Sequence, residues 1–229
     1  LQRPVARSQN RFGNRTRLPR PVSFSILPAT LRQPRAFSPL TDSSPITVSL
    51  LIPTLDQSGA EKQLVALACG LPSEKFRVEV IALTRGGPLE ASLVKHDISL
   101  TIIGKRHRID LAALGRLKRH LAENRPDLLH TWLFAANAYG RLARRASPST
   151  RVIVSERCVD TWKSRWQLWL DRYLVARTDQ FLANSHSVAE FYRSVGIPAE
   201  QIEVIPNGID TARFHPDEQG RAAIRRALG

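Results

Sequence analysis

Few residues of this chain are equipped for chemistry, and they lie far apart in sequence. His130 stands in "DLLHTWLFAANAYGR", at the close of an apolar run. An imidazole there can hydrogen-bond a sugar hydroxyl or a phosphate, or move a proton near neutral pH; a histidine satisfied by neighbouring backbone is the alternative. "VSERCVD" sets Glu156 beside Arg157. A carboxylate suits hydroxyl recognition and a guanidinium suits phosphate, whereas the plain reading is a surface ion pair. Gly59 and Ala60 follow "PTLDQS" and open a helical pattern. A glycine lets backbone approach a ligand, and the first N–H groups of a helix favour an anion. A turn with an ordinary cap from Ser58 accounts for the same residues. "GKRHR" gathers Lys105, Arg106, His107 and Arg108, which either hold an anionic acceptor or form a solvated basic loop. Trp162, Trp166, Trp169 and Tyr173 recur at helical spacing with Arg165 and Arg172 beside them. Such a stripe serves a membrane-surface helix or is buried in a core or interdomain contact.

Several chemistries lack their residues. There is no G-x-G-x-x-G and no Walker lysine motif, and Glu79 falls inside a strand pattern where a ribose-binding acid would be needed; neither a nicotinamide cofactor nor ATP is expected. The six His and two Cys have no ligand spacing, so no metal site is expected. Cys158 has no assignable histidine and acid to activate it as a nucleophile. Two cysteines make no disulfide framework, which points to a reducing cytosol. No apolar run reaches the length of about eighteen residues that a membrane-spanning helix needs.

These residues need a scaffold, and its pattern starts at residue 46. The net charge is +14, and residues 1–45 hold eight Arg against one Asp together with seven of the fifteen prolines. That composition reads as a disordered basic arm; a transit or nucleic-acid arm is the alternative, and nucleic acid is not an expected partner. Beyond it, β-branched and apolar runs at 46–52, 76–83, 98–103, 127–131, 151–156, 180–185 and 202–205 read as strands. Helical spacing fills 59–71, 88–96, 110–124, 133–146, 161–177 and a segment ending near Val195. Strands alternating with helices through short connections predict an α/β fold, a Rossmann-like doubly wound parallel sheet of about seven strands. Ligands then bind beyond the carboxyl ends of the strands. "VIPNGID" carries a turn signal: Pro206 presets φ, and Asn207 and Gly208 tolerate positive φ. Pro216, Asp217 and Glu218 open a basic helical tail.

The stretches "SGAEKQLVALACGL", "DLLHTWLFAANAYGRLAR", "VIVSERCVDTWKS", "FLANSHSVAEFY" and "VIPNGIDTARFHP" occur in this order over roughly residues 46–216. Together they resemble the amino-terminal half of glycosyltransferase family 4, which has the GT-B fold. The resemblance implies transfer of a sugar from a nucleotide-sugar donor to a glycan or lipid acceptor, usually with retention and often without a metal or other cofactor. It places Gly59 and Ala60 near donor phosphates and acceptor, His130 near the transferred sugar, and Asn207 at the lining of an interdomain cleft. Two departures stand out. Trp132 occupies a position where the family often has a second histidine, and Ser58–Gly59 replaces a Gly–Gly pair. The expected division is an arm (1–45), a Rossmann-like domain (46–210), and a linker with the first helix of a donor-binding domain (211–229). A separate carboxyl-terminal half is then an implied partner, and the isolated chain is expected to be impaired. A non-catalytic acceptor-binding or interaction domain is the alternative. The expected location is cytoplasmic, at the inner face of the membrane if peripheral contact is made.

Overall fold

The computed structural model describes residues 44–212 and 214–229. Apart from Ser44 and Pro45, the arm expected to be disordered lies outside the described residues. Seven strands form one parallel sheet: β1 (Ile46–Ile52), β2 (Phe76–Ala82), β3 (Ser99–Ile102), β4 (Leu128–Trp132), β5 (Arg151–Glu156), β6 (Gln180–Ala183) and β7 (Ile202–Val204). The interleaved helices are α1 (Gly59–Gly70), α2 (Glu90–Lys95), α3 (Leu111–Asn124), α4 (Leu133–Ala143), α5 (Arg165–Tyr173) and α6 (His186–Val195), and α7 (Glu218–Leu228) follows the sheet. The spatial order is β3-β2-β1-β4-β5-β6-β7. The chain therefore runs outward from β1 in one direction, returns, and runs outward from β4 in the other. The expected doubly wound parallel sheet is what forms, and its switch point lies between β1 and β4.

Strand alternation sorts the core into two layers. Val48, Leu50 and Ile52 pack with Leu64, Val65 and Ala68 of α1 and Leu93 of α2. Leu51, Leu129 and Val152 pack on the other face with Leu117 and Leu121 of α3, Ala136 of α4 and Tyr192 of α6. Leu50 pairs with His130, and His130 with Ile153, so His130 and Trp132 stand on the α1 side of the sheet.

Local signals explain most element ends. Asp110 caps α3 by accepting from the Ala113 N–H at 2.8 Å, and Ser185 caps α6 by accepting from the Val188 N–H at 3.3 Å. Gly196 closes α6 at φ 101°. The helix expected over 161–177 is shorter. Trp162 lies in a turn before α5, and a short 3-10 turn covers Val175–Arg177. The cause is Lys163, which is drawn into the interior; α5 starts only after it, where Gln167 folds back to accept the Ser164 N–H at 2.9 Å.

Gly140 brings α4 hard against the sheet. A Cβ there would stand 2.4 Å from the Thr131 methyl and 3.3 Å from Leu51, both fully buried. Gly140→Ala gains helix propensity of about 1 kcal/mol, but the overlap with an immobile neighbour is larger. The expected net result is a loss of about 1–3 kcal/mol, read as a lower urea midpoint at unchanged slope.

Candidate functional site

The site is built from the carboxyl ends of β4 and β5. α4 begins directly after Trp132 with no connecting residue, and Leu133 makes the corner at φ 68°. A bulky side chain in the left-handed region is held there by its surroundings, at a typical cost of about 1–3 kcal/mol. The corner sets Trp132, buried to 1% exposure, against the His130 ring at a centroid separation of 5.0 Å. His130 Nε2 lies 2.7 Å from Ser155 Oγ. The Arg157 guanidinium lies over the Trp132 indole, with Cζ 3.8 Å from the ring centroid. Arg157 Nη1 donates to Asn207 Oδ1 at 2.9 Å, and Asn184 Nδ2 donates to the Arg157 carbonyl at 3.0 Å. Arg157 Nε and Trp132 Nε1 are both buried donors with no acceptor among the described residues. Such orphaned groups are costly unless a ligand or water satisfies them.

The rim comes from α1 and the segment after β7. Gly59 has open space where a side chain would stand. The Ser58 hydroxyl bonds the Glu61 carboxylate rather than capping the backbone of α1, so the capped turn is not formed through that side chain. Gln63 holds Gly208 by both of its amide groups: Nε2 donates to the Gly208 carbonyl at 2.7 Å, and Oε1 accepts the Gly208 N–H at 2.9 Å. The turn expected at Asn207–Gly208 does not form. Residues 205–210 are irregular, and neither Asn207 nor Gly208 takes positive φ. Their two side-chain contacts hold the backbone in place of a turn.

Charge in the site follows burial. Burial, helped by the nearby Arg157 charge, depresses the His130 pKa to about 3, so the imidazole is neutral at pH 7 and does not serve as a proton carrier near neutrality. Burial lowers Arg157 to about 10, and it stays cationic. Burial raises Glu156 to about 7. Glu156 is no surface ion partner: it is 2% exposed, accepts from Asn137 Nδ2 at 3.0 Å and pairs with Lys163 at 2.9 Å. It sits beneath the site, on the opposite side of β5 from Ser155. Burial and the neighbouring Asp160 raise the Cys158 thiol to about 11, where it donates to Asp160 at 2.7 Å and is no nucleophile. A cavity of about 640 Å³ lined by Leu71, Phe76, Val78 and Asp97 lies at the amino ends of the strands, remote from these groups.

The family model described as Glycosyltransferase Family 4 matches residues 57–213. The chain belongs to that family. A search of curated proteins gave no match. Among solved structures, Anabaena HepE in complex with UDP-glucose aligns at 20% identity with a TM-score of 0.67, covering 80% of this chain and 50% of that one. A glycosyltransferase from Rickettsia africae aligns at 16% identity and TM-score 0.60, covering 81% and 50%. The lipopolysaccharide outer core galactosyltransferase WaaB aligns at 16% identity and TM-score 0.55, covering 72% and 46%. At these identities the likeness is one of fold, that of the amino-terminal half of GT-B proteins. The chain spans about half the length of the solved structures it matches.

Within this family-4 chain the structure brings His130, Arg157 and Asn207 together and sets Gly59 and Ala60 on the neighbouring rim through Gln63. Glu156 stands behind the site. Lys105, Arg106 and Arg108 lie on the β3–α3 loop, and the Trp166, Trp169 and Tyr173 rings of α5 are exposed, as is Trp162 before it; the stripe is not core. Sequence reasoning gave no role to Trp132, Gln63 or Lys163. Alternation along β4 puts Trp132 on the same face as His130, which is the available signal.

The neutral state of His130 has a measurable consequence. Its folded pKa lies below the unfolded value, so the unfolded state binds the extra proton and stability falls as pH drops from about 6.5 toward about 3. Glu156 acts with the opposite sign: its raised pKa contributes stability at low pH that is lost as pH rises through about 7. The difference between wild type and His130→Gln isolates the first effect. The variant is expected to lose less stability between pH 6.5 and pH 4 in urea titrations; parallel pH curves would show that His130 is not held neutral.

Proposed function

We propose that the chain forms the acceptor-side domain of a glycosyltransferase that moves a hexosyl unit from a nucleotide-sugar to a glycan or lipid acceptor, with retention and without a metal or organic cofactor. The observation that supports it best is the stack of Arg157 on Trp132 at the carboxyl ends of β5 and β4, which leaves two buried donors, Arg157 Nε and Trp132 Nε1, without a partner among the described residues. These are groups suited to oxygen ligands, and Arg157 supplies the positive charge that a diphosphate or phosphate oxygen requires. HepE was solved with UDP-glucose, which supports a uridine nucleotide-sugar as donor.

In the transfer, the bond from the anomeric carbon to the diphosphate breaks and the acceptor hydroxyl oxygen bonds that carbon. The acceptor's proton leaves with the diphosphate. Neutral His130 orients hydroxyls, Arg157 balances charge on the leaving group, and catalysis comes from positioning and electrostatic stabilisation. The nucleotide needs a second domain, corresponding to the other half of the matched structures. The proposed location is the cytoplasm, at the inner face of the membrane where peripheral contact is made.

The test is transfer of labelled sugar from a panel of nucleotide-sugars to glycan and lipid acceptors, by residues 1–229 alone and with a separately supplied carboxyl-terminal domain. Transfer only in the second case is the expected result. Robust turnover by residues 1–229 alone overturns the need for a second domain. Acceptor binding without transfer in either case favours a non-catalytic acceptor-binding module.

A further inference from the structure

α5 and the β3–α3 loop leave a set of rings and cations uncovered at the same end of the sheet as the site. Trp162, Trp166, Trp169 and Tyr173 are 64%, 45%, 41% and 57% exposed. They recur at helical spacing on and just before α5. Trp169 stacks on Tyr173 with centroids 5.2 Å apart and an interplanar angle of 10°. Trp166 meets Phe134 edge-on at 5.8 Å. Arg108 reaches from the loop to Trp166, with Cζ 5.2 Å from the ring, and so joins the two elements. Ile109 of that loop and Leu111 at the start of α3 are also exposed. Several large exposed rings on one short stretch of chain mark an interaction surface more often than a solvated face.

The charge on this surface has one sign. Between residues 157 and 178 the acids are Asp160 and Asp171, and both are buried, while Arg165 and Arg172 are exposed. On the loop, Asp110 is buried and is taken up by the Arg106 and Ala113 backbone N–H groups; Arg106, His107 and Arg108 are exposed. Fixed cations amid amphipathic rings match the boundary between anionic headgroups and acyl chains. They do not match a second copy of the same basic face, nor the Arg-rich residues 1–45, which carry the same sign.

We propose that α5 and residues 105–111 dock the protein on an anionic phospholipid surface, rings at the acyl boundary and arginines among the headgroups. No helix of the described residues is long and apolar enough to cross a membrane, so the contact is peripheral. The inference does not require the transferase reading.

The experiment uses the full chain with sedimented vesicles of phosphatidylcholine alone or containing phosphatidylglycerol. Binding is expected only with the anionic vesicles, weakened by salt, with a blue shift of tryptophan emission. The triple substitution Trp162→Ser, Trp166→Ser, Trp169→Ser is expected to weaken binding about tenfold or more, and Arg106→Gln with Arg108→Gln to weaken it and flatten its salt dependence. All are surface changes, and circular dichroism verifies the fold. Absence of binding to anionic vesicles overturns the proposal. So does binding that the ring substitutions leave intact, a dimer that they dissolve, or protection of the rings by single-stranded RNA in preference to vesicles. None of these outcomes bears on sugar transfer.

Discussion

Lys163→Met is expected to destabilise the domain by about 3–5 kcal/mol, the usual result of removing one partner of a buried ion pair. The Lys163 side chain is fully buried, and its Nζ reaches Glu156 at 2.9 Å, Asp160 at 2.9 Å and Asp171 at 3.1 Å. It also donates to the Tyr192 hydroxyl at 2.6 Å, and that hydroxyl donates to Asp160. Arg141, likewise buried, binds Asp171 at 2.5 Å. Three carboxylates thus face two cations, and the raised pKa of Glu156 near 7 lets a proton complete the balance. Burial alone would lower the Lys163 pKa, but the carboxylates Glu156, Asp171 and Asp160 outweigh it and hold it above its ordinary value. Methionine fills the volume and leaves Glu156 and Asp160 without their cation, while Asp171 keeps Arg141. Urea denaturation at pH 7 measures the loss. Adding Asp160→Asn to Lys163→Met removes a stranded charge and is expected to recover part of it. A single variant within about 1 kcal/mol of wild type would show that the network contributes no stability.

If the proposed function holds, Arg157→Ala lowers sugar transfer about 100-fold in the assay with the second domain supplied, the order found when a preorganised donor to developing negative charge is removed. Folding stability should fall much less, because Arg157 is only partly buried and, among the described residues, its ring contact with Trp132 and its side-chain hydrogen bond to Asn207 belong to the site. Arg157→Lys is the sharper variant. It keeps the charge and loses the planar face that stacks on Trp132, so it is expected to remain well below wild type. Steady-state kinetics over a range of donor and acceptor concentrations checks both. A loss confined to KM places Arg157 in uniform substrate binding, and a loss in kcat places it at the transition state. Wild-type kinetics in Arg157→Ala would remove it from the site.

Much of this fold is readable in the residues. β1 is a run of β-branched and apolar side chains because it is covered on both faces, and its predicted bounds match. α3 announces both of its ends, with Asp110 before it and Pro126 after Arg125. α5 does not. Its aromatic spacing suggests a helix from residue 161, yet Lys163 finds three carboxylates from β5, its own turn and α5, and that tertiary bonding outweighs local periodicity. The failure at Asn207–Gly208 has the same origin. A dipeptide that commonly makes a turn is instead held open by Gln63 and Arg157, which lie 145 and 50 residues away. The site was legible where strand ends carry polar residues, as at His130 and Arg157. Glu156 looked equivalent to Arg157, and only the one-residue alternation across β5 separates a buried ion pair from a surface group. The buried state of His130 depends on Trp132 and Ser155 and is invisible to composition.

The grip of Gln63 on Gly208 has a mechanical consequence. Two hydrogen bonds fix the backbone at that point to the first turns of α1, while α7 buries none of its residues. While these two bonds hold, a swing of the chain that follows pivots beyond Gly208. Asn207 and the guanidinium it holds therefore belong to the stationary body, and the site keeps its shape whatever angle the later segment adopts.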